Sequence, residues 1–253
     1  MEKSKNRNGI VLRLPEITTD KDPILLRKIC DHIKNCIHLR YNLFVVELSE
    51  KDLEMNLEVH PSEKERFLYF VENLEIRIMF YLKSKNSVIS TDIGSRKRAK
   101  KEIITIGNFI QEIDAGRFDI PLICHVGGAK GNRKKSMVEF CKFFETLPWR
   151  TQKQIALIND EKPSLYSVKD LLSVTYIEKK IPIIFRATSH RTNQGGLTYK
   201  ESLFLACSTW VERGNPVMFY CPAKPEERVE LDDLNPYDLV LDIAYDHVLP
   251  EPE

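Results

Sequence analysis

Ile123-Cys124-His125-Val126-Gly127-Gly128 and, beyond an intervening helical stretch, Ala156-Leu157-Ile158-Asn159-Asp160-Glu161 are two apolar runs that each break into polar residues at their C-terminal ends. Short apolar runs of this kind fit strands buried on both faces, and two of them joined through a helix make a parallel βα unit. Barrel enzymes keep their chemistry at the C-terminal ends of such strands. His125 and the Asn159-Asp160 pair are therefore the first candidates for a site. The centre of the second cluster is Ile158, a side chain that can neither ligate a metal nor move a proton.

Working outward, strands are predicted over Gly9–Leu14, Leu43–Leu48, Ile76–Leu82, Ile120–His125, Gln154–Ile158, Ile181–Phe185, Val217–Cys221 and Asp238–Asp242. Helices are predicted between them over Leu25–Cys36, Ser62–Leu74, Arg96–Asp114, Lys134–Leu147, Val168–Glu178 and Tyr199–Glu212. The second of these opens on Ser62-x-x-Glu65, a capping-box pattern, and the fifth has Tyr166 or Ser167 at its start. Alternating strands and helices favour a TIM (β/α)8-type α/β barrel over an open doubly wound sheet. The expected organisation is one domain over residues 1–253, with flexible tails at 1–8 and 249–253 and a truncated last βα unit.

Charged residues make up 30% of the chain, yet the net charge is only +1, so any grip on nucleic acid must come from local basic patches. Two such patches stand out: Arg96-Lys97-Arg98-Ala99-Lys100-Lys101, and Lys130 with Arg133-Lys134-Lys135. No run approaches the roughly 18 apolar residues of a membrane span, and the basic start Met1–Arg7 leads into no apolar signal region, so a cytoplasmic protein without a membrane partner is expected. The six cysteines show no paired spacing and read as buried free thiols. Trp149 and Trp210 read as core or rim packing rather than base-stacking platforms.

Several blocks of the C-terminal half together carry a resemblance. They are His125-Val126-Gly127-Gly128 before a Lys-rich loop and a helix with Phe140 and Phe144; Leu147-Pro148; Ile158-Asn159-Asp160-Glu161-Lys162; and Ser167-Val168-Lys169-Asp170. Ile181–Phe185, Ser208-Thr209-Trp210 and Pro216–Tyr220 continue the series. In these blocks the chain resembles the UV-damage endonuclease family, metal-dependent TIM-barrel DNA repair enzymes related to endonuclease IV. The resemblance implies a cluster of divalent ions, damaged DNA as the partner, and ligand positions at His60, His125 and Asp242. It places further ligand positions on Ile158, Arg186, Ser189 (with His190 beside it) and Phe219, and a strand-three histidine position near Phe80 or Tyr81. The stretch Tyr81-Leu82-Lys83-Ser84-Lys85 falls where the family carries its lesion-probing pair.

Mn²⁺ or Mg²⁺ sites use about six donor positions. Ile158 and Phe219 donate nothing, and Arg186 puts a fixed cation where an anion is implied. The expectation is a barrel of this family that is weak or inactive as a nuclease and retained as a nucleic-acid-binding module, with no stoichiometric metal. His125 and Asp242 are its candidate catalytic residues. Gly127, Gly128, Lys130, Arg133, Asn159, Asp160, Arg186 and His190 are its candidate substrate contacts. Two alternatives stay open: an active endonuclease using a reduced divalent-metal set from His60, His125, His190 and Asp242, and a barrel isomerase or lyase acting on a small phosphorylated substrate. Asp242 is also a candidate salt-bridge partner for Arg186.

Overall fold

The computed structural model describes residues 7–13, 24–39, 41–54, 57–114, 117, 120–129, 131–211, 213–220 and 238–244. Eight parallel strands close into a barrel in sequence order: β1 (Asn8–Arg13), β2 (Leu43–Leu48), β3 (Arg77–Leu82), β4 (Leu122–Cys124), β5 (Ile155–Ile158), β6 (Ile183–Arg186), β7 (Val217–Tyr220) and β8 (Asp238–Ala244). Every neighbouring pair is parallel, and β8 returns to β1 with one register shift between Ile10 and Val11. The predicted α/β barrel is the fold observed.

Strands buried on both faces need two apolar sets in alternation. One set points outward under the helices and includes Phe44, Phe80, Leu122, Leu157 and Phe185. The other fills the barrel itself: Val11, Val45, Met79, Tyr81, Ile123, Ile158, Ile184, Phe219 and Val240, with Trp210 beside them. Ile158 and Phe219, two of the positions where the resemblance implies ligands, belong to this inner set and are almost wholly buried.

Around the barrel lie α1 (Leu25–Cys36), α2 (Pro61–Asn73), α3 (Ile93–Ile113), α4 (Arg133–Glu145), α5 (Trp149–Gln154), α6 (Val168–Leu171), α7 (Ile177–Lys179), α8 (Ala187–Thr192) and α9 (Tyr199–Ser208). A π-helical turn, Leu172–Tyr176, joins α6 to α7, so the predicted fifth helix is one continuous unit with a bulge. The Ser62 capping box does not form. Pro61 occupies the first helical turn with His60 at the cap, because proline's fixed φ suits that position, and Ser62 lies inside the helix. The third helix starts earlier than Arg96: Asp92 caps it by accepting from the Gly94 and Ser95 amides at 3.1 and 2.7 Å. The basic run thus stands one turn into α3, behind a carboxylate that satisfies the helix N-terminus. The short helices α5 and α8 were not predicted.

Trp210 is buried and donates its indole N–H to the Ile183 carbonyl at 2.7 Å, as a core residue should. Trp149 is not core: it is 59% exposed, with Arg150 against its ring. The described cysteines are free; four are buried and Cys207 is half-buried, and burial pushes the Cys124 thiol up to about 12. Cys221 lies outside the described residues, as do 249–253. At the opposite end from the mouth, Asp238 is fully buried and receives Arg77 at 2.7 Å, the Arg7 amide at 3.0 Å and Asn215 at 2.9 Å. That cluster ties the first residues of β3 and β8 and the approach to β1 into one knot.

Candidate functional site

At the C-terminal mouth the ends of β3, β4 and β5 carry one hydrogen-bonded chain. His125, the first residue after β4, places Nδ1 at 2.7 Å from Asp160 Oδ1 and Nε2 at 2.7 Å from the Tyr81 hydroxyl. A carboxylate only accepts, so the proton between His125 and Asp160 sits on Nδ1. With that tautomer of the uncharged ring, Nε2 accepts from the Tyr81 O–H. Both ring nitrogens are engaged, and Tyr81 and Asp160 are buried while His125 keeps partial exposure.

Asp160 is itself held from the loop that follows. Its backbone N–H donates to the Tyr166 carbonyl at 2.8 Å, its Oδ2 accepts from the Tyr166 amide at 3.4 Å, and its carbonyl accepts from Asn193 Nδ2 at 3.1 Å. Ser167 and Asp170 form the capping box that starts α6 just beyond. Asn159 faces away from this chain. Its Oδ1 accepts from the Arg186 amide at 2.7 Å and its Nδ2 donates to the Arg186 carbonyl at 3.2 Å. A fully buried amide thus adds one rung to the β5–β6 ladder where the strands end.

Gly127 has φ +105°, and a Cβ there would lie 2.2 Å from Ser87 Oγ in the loop after β3. Only glycine allows both the conformation and the approach. The Gly128 carbonyl accepts from the Tyr166 hydroxyl at 3.2 Å; burial pushes that phenol up to about 12. Further around the mouth, Lys83 reaches Glu47 at 3.2 Å, linking the ends of β2 and β3.

The family model described as UV-endonuclease UvdE matches residues 96–233, more than half of the chain. The chain belongs to the UV-endonuclease UvdE family. Among curated proteins, the UV DNA damage endonuclease of Bacillus mycoides (strain KBAB4) is 34% identical over 86 residues, which are 34% of this chain and 26% of that protein. That of Bacillus cereus (strain 03BB102) is 36% identical over 86 residues, with the same coverage. The match therefore spans about a quarter of these relatives' length. Among solved structures, the crystal structure of SacUVDE superposes with a TM-score of 0.75 at 17% identity, covering 94% of this chain and 93% of that one. Endonuclease IV from Thermus thermophilus superposes at 0.63 and 10% identity, covering 93% and 91%. A D-psicose 3-epimerase stands at 0.61 and 10%, covering 93% and 84%. At these identities the likeness is one of fold.

In this UvdE-family barrel the structure brings together His125 and Asp160 among the described residues named from the sequence, while His60, His190 and Arg133 have other neighbours. His60 caps α2 without a side-chain hydrogen bond to it and faces Glu58 at 3.7 Å. His190 lies in α8, buried against the rings of Phe185 and Tyr199 at 5.4 and 6.0 Å, and burial lowers its pKa. Arg133 pairs with Asp170 at 3.1 Å and donates to the Leu165 carbonyl at 3.2 Å, bracing the start of α4. Arg186 ends β6 with its backbone bracketed by Asn159. Lys130 and the side chain of Asp242 lie outside the described residues, Asp242 being on β8.

Among the described residues the donor set does not fit the divalent cluster that the family implies. Among the described residues no group of three or more His, Cys, Asp or Glu side chains is placed to hold a metal ion. His125 offers no bare nitrogen, and Ile158 and Phe219 are part of the packed interior. What sequence reasoning missed is the role of Tyr81 as the partner of His125. The parity of Tyr81 with Met79 along β3 points it into the barrel, a signal present in the sequence, whereas Phe80 points outward. No helix among the described residues is long and apolar enough to cross a membrane.

Proposed function

We propose that this member of the UvdE family does not cleave phosphodiester bonds through a multi-metal centre and acts as a nucleic-acid-binding module. The observation that carries the first half is the occupation of both His125 ring nitrogens, by Asp160 and Tyr81 at 2.7 Å each. Clamping attacking and leaving oxygens takes two metals on several hard donors. The mouth instead carries a hydrogen-bonded chain above an apolar plug containing Ile158 and Phe219. The second half is supported by exposed cations on the two helices that start at the mouth: Arg96, Lys97 and Arg98 on α3, and Lys134 and Lys135 on α4. Arg98 is partly committed to Asp92 and Asn86, which leaves Arg96, Lys97, Lys134 and Lys135 as the leading phosphate contacts.

The test pairs two assays. UV-irradiated supercoiled DNA incubated with the protein in Mn²⁺ should stay unnicked. Fluorescence anisotropy with a short irradiated duplex should show affinity that falls steeply between 50 and 200 mM salt, by about tenfold or more if several phosphates are neutralised. Lys97→Glu with Lys134→Glu should flatten that dependence. Nicking that disappears in His125→Ala would refute the first half; no binding at low salt would refute the second.

A further inference from the structure

A histidine binds a divalent ion through an unprotonated, uncommitted ring nitrogen. Here Nε2 is the nitrogen that a metal would take, and a buried tyrosine hydroxyl lies on it at 2.7 Å, with the two ring centroids 5.8 Å apart. Tyr81 comes from the strand on which the family resemblance places another ligand, near Phe80 or Tyr81, and its hydroxyl covers the His125 nitrogen. The chain also repairs a weak seam. The β3–β4 ladder is short, with Phe80 paired to Leu122 and Tyr81 to Ile123, because β4 is only three residues long. The Tyr81–His125 bond continues that seam past the end of the ladder, and the His125–Asp160 bond carries it across to β5.

We propose that Tyr81 stands in for the metal at His125. The Asp160–His125–Tyr81 chain is a metal-free lock that holds the ends of β3, β4 and β5 together, and His125 is a positioning residue of the mouth rather than a ligand. This rests on the reading above that the multi-metal centre is gone. An ion could enter only by displacing the Tyr81 hydroxyl from Nε2, and the lost hydrogen bond weakens binding by about tenfold.

The full chain, labelled with ¹⁵N-histidine, tests the lock by long-range proton–nitrogen NMR and titration with MnCl₂. His125 should show the proton on Nδ1 and an Nε2 shifted by hydrogen bonding, and its signals should survive equimolar Mn²⁺. Tyr81→Phe should move Nε2 to the position of an unbonded ring nitrogen and lower Tm by about 2–8 °C for the lost bond and the loosened seam. Tyr81→His, which returns an imidazole to strand three, should make the His125 signals broaden at Mn²⁺ concentrations that leave the wild type unchanged. Broadening of wild-type His125 at equimolar Mn²⁺, or an Nε2 signal indifferent to Tyr81→Phe, overturns the proposal, and the second result stands even if Tyr81→His fails to fold. DNA anisotropy on the same samples separates the two readings: lost DNA affinity with the expected histidine signals refutes the binding module and supports the lock.

Discussion

Replacing Ile158 by glutamate returns a carboxylate to the position where the family resemblance implies one, and the structure says what that costs. Ile158 is fully buried in the inner core beside Ile184, and the register of β4 on β5 places His125 alongside it. Removing the buried isoleucine forfeits about 1.5–3 kcal/mol of transfer energy, and an unsatisfied carboxyl adds about 1–3 kcal/mol even when protonated, so Ile158→Glu should lose about 2.5–6 kcal/mol. Ile158→Val, which keeps the site apolar, should lose only about 0.5–1.5 kcal/mol. The deficit has a sign with pH. Burial raises the introduced carboxyl's pKa in the native state, so the native state holds a proton that the unfolded chain releases above about pH 4.3. Stability therefore falls as pH rises, and the variant is worse at pH 8 than at pH 5, by about 1.4 kcal/mol for each unit of upshift crossed. Urea denaturation of both variants and the wild type at the two pH values measures this directly. A deficit below about 1 kcal/mol at pH 8 would refute the reasoning, because a barrel interior that solvates or pairs a carboxylate there is not an apolar plug.

Three further outcomes follow from other parts of the barrel. Asp238→Asn should cost about 3–5 kcal/mol in chemical denaturation, because it neutralises the fully buried carboxylate that Arg77 and Arg7 both reach, and Arg77→Met with Asp238→Leu should recover part of the loss. Gly127→Ala should cost about 1–3 kcal/mol from the left-handed backbone alone, and Ser87→Gly in the same chain should relieve only the added clash with Ser87 Oγ. His190 has its pKa lowered by burial, so the unfolded chain takes up a proton below about pH 6.5 that the native ring resists, and stability drops with acid from that point. In His190→Leu the stability curve between pH 7 and pH 5 should be flatter than in the wild type; an unchanged slope would place that ring in solvent.

The fold was legible because what chiefly determines it is local. Strands such as β2 and β6 carry continuous apolar runs, Leu43–Val46 and Ile183–Phe185, as strands buried on both faces must, and their alternation with helices leaves few topologies open. Boundaries were less legible where two local signals competed. Ser62-x-x-Glu65 and Thr198-x-x-Glu201 carry the same capping pattern, yet only the second forms a box, because Pro61 claims the first helical position ahead of the former. The short helices α5 and α8 span six residues each, too few to show a helical period.

The site was half legible, and the missing half is a matter of register. The sequence places His125 and Asp160 at the ends of successive strands, and the inward parity of Tyr81 can be read from β3 alone. What brings the three into contact is the stagger of β3 on β4 and of β4 on β5, with Tyr81 opposite Ile123 and Cys124 opposite Leu157. Stagger is set by closing the whole barrel, so no window around any one strand contains it. A ligand position emptied by mutation looks from sequence like a loss and nothing more. In the folded chain Tyr81 supplies a hydroxyl to His125, and the interior includes Ile158 and Phe219. Erosion of a metal site leaves unpaired imidazoles and carboxylates that would each cost stability if nothing replaced the ion. On the reading proposed above, the His125 imidazole avoids this cost, because both of its nitrogens are hydrogen-bonded, to Asp160 and to Tyr81.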